Sequence, residues 1–415
     1  MTHRLVPMAA LAAVTLAASC SLFHKEQRSH YALHAPLAVE DAAFHRSLDT
    51  FGSVMVGGND AELVEDGPVL DRMIEDIRGA ERSVNFEIYL YKPDEVGRRF
   101  ADAMIETSRR GVDVRLMVDA QGSKLDHLRQ ELEDAKVRVN DYRPGKDYNY
   151  LGRRTHRKLL IVDGTIGWTG GFCVDRRWLG TASNENEWHD SAVRVTGPVV
   201  SQMQAIFGED WTFTTGEILA GDLFYPELPA TGSKLAHAIK ASKGDPSSVP
   251  KMLYFLAIEA SRKSIHIQNP YFLPDRQIRD ALVGAAKRGV DVKITVPGKH
   301  MDIPVVRMAS RGDYGDLLKG GVKIYEYQPT MIHSKVLVVD GVFSTIGSIN
   351  FDARSMSKNA EESVSFYDRA FAASLEAMFA RDLARSREIT YEAWKNRGFS
   401  ARCAEFFSGM FKPWY

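Results

Sequence analysis

Apolar and polar residues along this chain fall into a pattern that is met twice. Apolar positions recur at helical spacing over 69–80, and 83–91 then reads as a strand. A turn at Lys92-Pro93-Asp94 leads into a helix over 95–110, which Gly111 stops, and a strand over 112–118 follows. The same order returns as a strand over 264–268, a turn at Pro274-Asp275, a helix over 277–288 stopped by Gly289, and a strand over 290–296. Strand, helix and strand in succession predict a parallel or mixed sheet with helices on its faces, an α/β fold. Arg110-Gly111-Val112-Asp113-Val114-Arg115 matches Arg288-Gly289-Val290-Asp291-Val292-Lys293 at an offset of 178 residues, the mark of an internal duplication.

Two short aliphatic runs carry the chemistry. His156-Arg157-Lys158 precedes Leu159-Leu160-Ile161-Val162 and then Asp163; His333-Ser334-Lys335 precedes Val336-Leu337-Val338-Val339 and then Asp340. Four aliphatic residues between polar ones suit a strand buried on both faces, and alternation sets each His and Lys on one face. The two histidines are 177 residues apart, so each repeat supplies one His-Lys set to a shared cleft. Small residues follow both runs: Gly170 and Gly171 in the first, Gly347, Ser348 and Asn350 in the second. They would let backbone amides approach an anion closely. Such a pair suits transfer at phosphorus. One imidazole attacks and holds a covalent phosphoryl group, while the other protonates the leaving alkoxide and then deprotonates the incoming hydroxyl. Two lysines neutralise the non-bridging oxygens, so no metal or other cofactor is required.

The second run resembles the full motif of the phospholipase D superfamily, His-x-Lys-x4-Asp-x6-Gly-Ser-x-Asn, at His333, Lys335, Asp340, Gly347, Ser348 and Asn350. The first keeps His156, Lys158, Asp163 and Gly170, with Gly171 in place of Ser and Cys173 in place of Asn. Gly-Gly there is similar to the cardiolipin synthase branch, although a thiol is a poor donor where Asn is expected. Stretches such as Pro270-Tyr271-Phe272, Pro297-Gly298-Lys299 and Asn350-Phe351-Asp352-Ala353-Arg354-Ser355 extend that likeness over most of 80–400. The resemblance implies two pseudo-symmetric α-β-α repeats with one active-site cleft. It also implies an acidic residue about thirty positions past each histidine, bonded to the second imidazole nitrogen; Asp190 and Glu361 stand there, with Glu187 and Glu362 as neighbours. The candidate catalytic set is His156, Lys158, Asp163, His333, Lys335 and Asp340, with both aspartates, off the His/Lys face, in supporting ion pairs. Gly170, Gly171, Ser348, Asn350, Asp190 and Glu361 are the phosphate-binding or supporting candidates. His189 reads as an incidental polar residue and His266 as structural.

The remaining chain fixes the context. Residues 1–20 read as a signal segment: a short apolar stretch too brief to span a bilayer, ending at Leu16-Ala17-Ala18-Ser19-Cys20 in the manner of a bacterial lipobox. Lipidation at Cys20 is the preferred reading, beside ordinary cleavage or an uncleaved anchor; each takes the protein out of the cytoplasm, held at the periplasmic face of a membrane. A tether over 21–67, a first repeat over 68–213, a linker over 214–250, a second repeat over 251–368 and a helical region over 369–415 complete the expected organisation. That last region carries a helix over 369–390 and the aromatic end Phe406-Phe407 to Trp414-Tyr415, suited to a membrane interface or to packing on the body. With 53 Lys and Arg against 54 Asp and Glu, the chain has no global basic field, which argues against a nucleic-acid partner. The basic residues cluster locally, at Arg153-Arg154 and Arg157-Lys158. The resemblance therefore implies a phosphatidyltransferase of cardiolipin synthase type, acting at a membrane surface on phosphatidylglycerol, with phosphatidylethanolamine as an alternative donor. The competing activities are a phospholipase D hydrolase, with water as acceptor, and an exported nuclease.

Overall fold

Both βαβ units are present in the computed structural model, which describes residues 31–142, 154–241, 248–410 and 412. The signal segment and Cys20 lie outside the described residues. The first half contains β1 (Val56–Glu65), β2 (Ser83–Ile88), β3 (Asp113–Asp119), β4 (Arg138–Tyr142), β5 (Lys158–Val162), β6 (Ile166–Gly170) and β7 (Ser191–Thr196). The second contains β8 (Lys234–Ala241), β9 (Ser264–Gln268), β10 (Asp291–Pro297), β11 (Lys323–Tyr327), β12 (Val336–Val339), β13 (Phe343–Gly347), β14 (Glu361–Tyr367) and β15 (Ser386–Ile389).

Together these strands form one sheet in the order β15-β11-β10-β9-β12-β13-β14-β8-β1-β7-β6-β5-β2-β3-β4. The arrangement either side of β1 and β8 is the same, read outwards, until β15 adds an extra edge. A pseudo-two-fold therefore passes between β1 and β8, which run antiparallel. Parallel pairing of β2 with β3 and β9 with β10 gives the two βαβ units; β5 and β12 join them antiparallel at matching places. The turns before the connecting helices supply their N-caps. Asp94 accepts from the Val96 and Gly97 amides, and Asp275 from the Ile278 amide. Gly111 and Gly289 end those helices at φ of 94° and 92°, the left-handed region glycine enters without strain.

Three boundaries differ from those expected of the sequence. Strand β1 lies within the span read as a tether, and β8 within the span read as a linker; these two are the centre of the sheet. Gly57-Gly58-Asn59-Asp60 in β1 is a poor strand signal; neighbouring strands hold the backbone, and buried Asn59 donates to the Val56 and Lys234 carbonyls. The helix expected over 369–390 is Arg369–Ala384; the next residues form β15, which pairs antiparallel with β11 and covers that edge.

Packing joins the halves. One apolar cluster, around Phe86, Phe100 and Trp168, lies beneath the helices Pro68–Gly79 and Glu95–Arg109. Another takes Leu159, Val193 and Phe207 from the first half and Val338, Phe366 and Leu375 from the second. The helix Val199–Thr215 touches β8, and the helix Arg369–Ala384 touches β1, so each crosses to the opposite repeat. Burying a Phe or Leu side chain is worth roughly 2 kcal/mol. Separating the halves would expose many of them at once.

Candidate active site

Each motif histidine is placed by backbone pairing with the opposite repeat. The His156 amide donates to the Ala360 carbonyl at 2.8 Å, and the Ala360 amide to the Arg154 carbonyl at 2.9 Å. Correspondingly, the His333 amide donates to the His189 carbonyl at 2.7 Å, and the His189 amide to the Met331 carbonyl at 2.9 Å. These crossed bridges bring Glu361, next to Ala360, to His156, and Asp190, next to His189, to His333. His156 Nδ1 lies 2.9 Å from Glu361 Oε2, and His333 Nδ1 lies 2.8 Å from Asp190 Oδ2. The acid about thirty positions past each histidine thus meets the histidine of the other repeat.

Both carboxylates are themselves fixed. Glu361 accepts from Ser348 Oγ at 2.6 Å, Ser355 Oγ at 2.7 Å and Asn359 Nδ2 at 3.2 Å. Asp190 accepts from Trp178 Nε1 and from the Ser191 amide, both at 2.8 Å. Although burial opposes their charge, the facing imidazoles and lysines hold both acids below the usual carboxylate range. An anionic acceptor at Nδ1 keeps the proton there and leaves Nε2 as the nucleophilic or basic nitrogen. Burial is also the main reason that the His156 pKa falls to about 4 and the His333 pKa to about 3, so both rings are neutral near pH 7.

Lys158 Nζ donates to the His156 carbonyl at 2.7 Å, and Lys335 Nζ to the His333 carbonyl at 2.5 Å. Lys335 Nζ is also 3.1 Å from His333 Nε2. Burial, with the charge of Lys158 adding to it, pushes the Lys335 pKa down to about 7. Both imidazoles line one cavity of about 420 Å³ with Tyr89, Arg154, Trp178, Asn350 and Arg354 in its wall. Around His333 the wall is aromatic, with the Trp178 and Trp188 rings centred 5.3 and 5.2 Å from the imidazole. Tyr89 packs edge-on against His156 at 4.8 Å, and its hydroxyl oxygen accepts from Arg154 Nη1 at 2.9 Å.

Several candidates have a different job from the one the spacing suggested. Asp163 and Asp340 make no ion pair among the described contacts. Asp163 Oδ1 accepts from the Arg82 and Ser83 amides at 2.7 and 2.9 Å, and Asp340 Oδ1 from the Lys263 and Ser264 amides at 2.7 and 3.0 Å. They clamp the start of β2 and β9, roughly 20 Å along the strand from the histidines. Both sit at φ near 54°, a left-handed turn that Asp tolerates. The small residues after each run answer to packing. The Gly171 amide donates to the Ser191 carbonyl and the Ser348 amide to the Glu362 carbonyl, so neither is free for an anion. A Cβ on Gly170 would lie 2.5 Å from the Ser191 carbonyl oxygen, and one on Gly171 would strike the Asp190 carboxylate. Where Ser348 holds Glu361, the first repeat has this glycine and uses the Trp178 indole to hold Asp190.

Asn350 and Cys173 both line the cavity, and Asn350 Oδ1 is buried with no hydrogen-bond partner. Arg154, from the local basic cluster, faces the same space, whereas Arg157 is buried against Asp210. His189 is more than an incidental polar residue. Its Nδ1 is 2.8 Å from Asp66 and its Nε2 3.1 Å from Asp382; these acids outweigh burial and raise its pKa to about 10. Glu187 instead caps the 181–184 turn, accepting from the Thr181 and Ser183 amides. Sequence reasoning missed Tyr89, Trp178 and Trp188; the one signal was that Trp188 stands two residues before Asp190.

Comparison with known proteins bears on this site directly. The family described as cardiolipin synthase, PLD-like domain, matches residues 73–211 and again 254–383, one match for each half of the sheet. The chain belongs to that family. A cardiolipin synthase of Geobacillus sp. (strain WCH70) is 36% identical over 348 residues, covering 82% of this chain and 69% of that protein. Another, from Clostridium perfringens (strain 13 / Type A), is 30% identical over 400 residues, covering 93% of this chain and 83% of that one. In fold, the phosphatidylserine synthase of Haemophilus influenzae superposes with a TM-score of 0.68 at 13% identity, over 89% of this chain and 97% of that one. This cardiolipin synthase-type chain shares with it the two-repeat phospholipase D architecture, the sheet on which the paired imidazoles are mounted.

Proposed function

We propose that this chain moves a phosphatidyl group from one phospholipid to the glycerol hydroxyl of phosphatidylglycerol, forming cardiolipin through a phosphohistidine. His156 Nε2 attacks phosphorus; the bond to the donor head-group oxygen breaks, and His333, which takes up a proton on Nε2 as the anionic phosphodiester binds, gives that oxygen the proton. His333 then takes the proton of the incoming hydroxyl, which attacks phosphorus, breaks the P–N bond and frees His156. Lys158 and Lys335 hold the non-bridging oxygens, whose negative charge they neutralise without any added group. With phosphatidylglycerol as donor, glycerol leaves; with phosphatidylethanolamine, ethanolamine leaves.

The observation that carries this reading is the pair of neutral imidazoles on one cavity, each with Nδ1 tied to a buried carboxylate of the opposite repeat. The division of roles is supported by Lys335, a cation losing its proton near neutrality beside His333 Nε2, which suits the ring that exchanges protons. Asn350, with its unpartnered oxygen, and the half-open arginine wall at Arg154 and Arg354 are the groups proposed to meet the polar head of the lipid. The same reading puts the enzyme at a phospholipid surface outside the cytoplasm, held there through its leading segment and Cys20.

The test is turnover of phosphatidylglycerol micelles by the purified protein, beside His333→Ala, with the lipids resolved. Cardiolipin that depends on His333 is the expected product. Phosphatidic acid in its place would make water the acceptor and the protein a hydrolase.

A further inference from the structure

The last helix, Phe399–Gly409, is amphipathic with its faces reversed. Glu405 and Ser408 are buried against the body, while Phe399, Phe406, Phe407 and Met410 are 83%, 69%, 59% and 59% exposed. At 3.6 residues per turn these four fall within an arc of roughly 100°, a single solvent-facing stripe. Fixed contacts hold the helix in this orientation. Glu405 pairs with Arg397 at 2.5 Å and with Arg311 at 3.5 Å, and the Trp394 indole just before it donates to the Arg311 carbonyl at 2.8 Å. Turning the stripe inwards would strip Glu405 of both partners and bury its charge.

Within 393–412 the exposed charges are basic. Lys395 and Arg402 are exposed, while Arg397 pairs with the inward-turned Glu405 and Lys412 with Asp313. The helix also lies along Pro304–Gly312, whose Val306, with the preceding Ile303, lines the catalytic cavity. Ile303 is itself 42% exposed. Aromatic side chains flanked by Lys395 and Arg402, on a helix packed against one that lines the catalytic cavity, match an anionic lipid interface, where rings enter the acyl boundary and Lys and Arg meet phosphate.

We propose that Phe399–Gly409 is a membrane-docking helix, which seats its Phe399, Phe406, Phe407 and Met410 stripe in an anionic phospholipid surface and thereby presents the cavity to lipid. This rests on the lipid-transferase reading of the site. At 11 residues this helix is roughly 16 Å long, too short to cross a bilayer, so it would lie on the surface.

The test uses the full chain and its Phe406→Ser/Phe407→Ser variant. Amide exchange of residues 399–410 is followed with and without vesicles of phosphatidylglycerol and phosphatidylethanolamine, and with phosphatidylcholine vesicles for comparison. Turnover is measured on those anionic vesicles and on monomeric short-chain phosphatidylglycerol. Docking predicts slowed exchange over 399–410 on the anionic vesicles, and at least a tenfold loss of vesicle turnover in the variant with short-chain turnover kept. Exchange unchanged by vesicles overturns the proposal. So does an unmodified chain that self-associates through this helix without lipid, which would make a second copy the occupant. Absent short-chain turnover in the unmodified chain would count against the site reading alone, since exchange still judges the helix.

Discussion

Four donors converge on Glu361: His156 Nδ1, Ser348 Oγ, Ser355 Oγ and Asn359 Nδ2. Holding one carboxylate so firmly makes sense if the imidazole must stay in one tautomer with Nε2 towards phosphorus. Glu361→Gln keeps the shape but loses the charge that supports an imidazolium and its phosphoryl adduct. We expect turnover to fall by about 10²–10⁴-fold with little change in KM, measured on phosphatidylglycerol. Acidity of the site gives a second expectation. A nucleophile with its pKa lowered to about 4 stays neutral well below the usual histidine range, so the acid limb of kcat/KM should lie near pH 4. Lys335 loses its charge as pH rises through about 7, which places the alkaline limb there. A pH profile of Lys335→Arg should lose that alkaline limb, because a guanidinium stays charged. The His-Lys pairs were legible in the sequence because their chemistry is local: three residues and an aliphatic run. Crossed pairing of Asp190 and Glu361 was not legible, because no spacing within a repeat says which histidine a distant acid will meet. Trp178 and Ser348 share a task, holding the acid, yet differ in residue type and position, so no repeat comparison reveals it.

Strand and helix contacts explain where the reading of elements succeeded and where it stopped. The βαβ units were legible because β2, β3, β9 and β10 are apolar and their helices carry Asp caps and terminal glycines. Strands β1 and β8 were not, since their stability comes from β7 and β14 alongside rather than from their own residues. His189 ties three such elements together: the end of β1 through Asp66, the strand-bearing segment before β7, and the helix Arg369–Ala384 through Asp382. Removing the imidazole leaves buried Asp382 and half-buried Asp66 without their cation, so His189→Ala should destabilise the fold by about 3 kcal/mol at pH 6. A folded-state pKa raised to about 10 means that this contribution is whole below the unfolded value of about 6.5 and fades as pH rises to about 10. Thermal unfolding of the two proteins should therefore converge across that range. Asp340 makes the complementary case. Its carboxylate holds the Arg262, Lys263 and Ser264 amides, far from phosphorus. Asp340→Ala should lower stability by about 2 kcal/mol in denaturant titration, while turnover per folded molecule stays within a few-fold.

At the scale of the molecule, the pseudo-two-fold between β1 and β8 does what sequence proximity cannot. It sets two histidines that are 177 residues apart on one cavity, and crossed bridges at Thr155 with Ala360 and His189 with Ile332 lock each half to the other. Duplication was legible from the repeated Arg-Gly-Val-Asp-Val stretch, but the shared core was not, because Phe207 and Leu375 reveal their common cluster only once folded. Symmetry also leaves the two imidazoles exchangeable on paper, and the surroundings separate them: Lys335 beside His333 Nε2, Tyr89 beside His156. The proposed route runs through a covalent phosphatidyl group on one ring, His156, with His333 moving the protons. Rapid quenching of phosphatidylglycerol turnover under non-acidic conditions, followed by peptide mass spectrometry, tests it directly. A phosphatidyl adduct on the peptide carrying His156 is the predicted result, and it should be absent from His156→Ala. An adduct on His333 would reverse the roles, and steady turnover with no adduct on either histidine would contradict the covalent route.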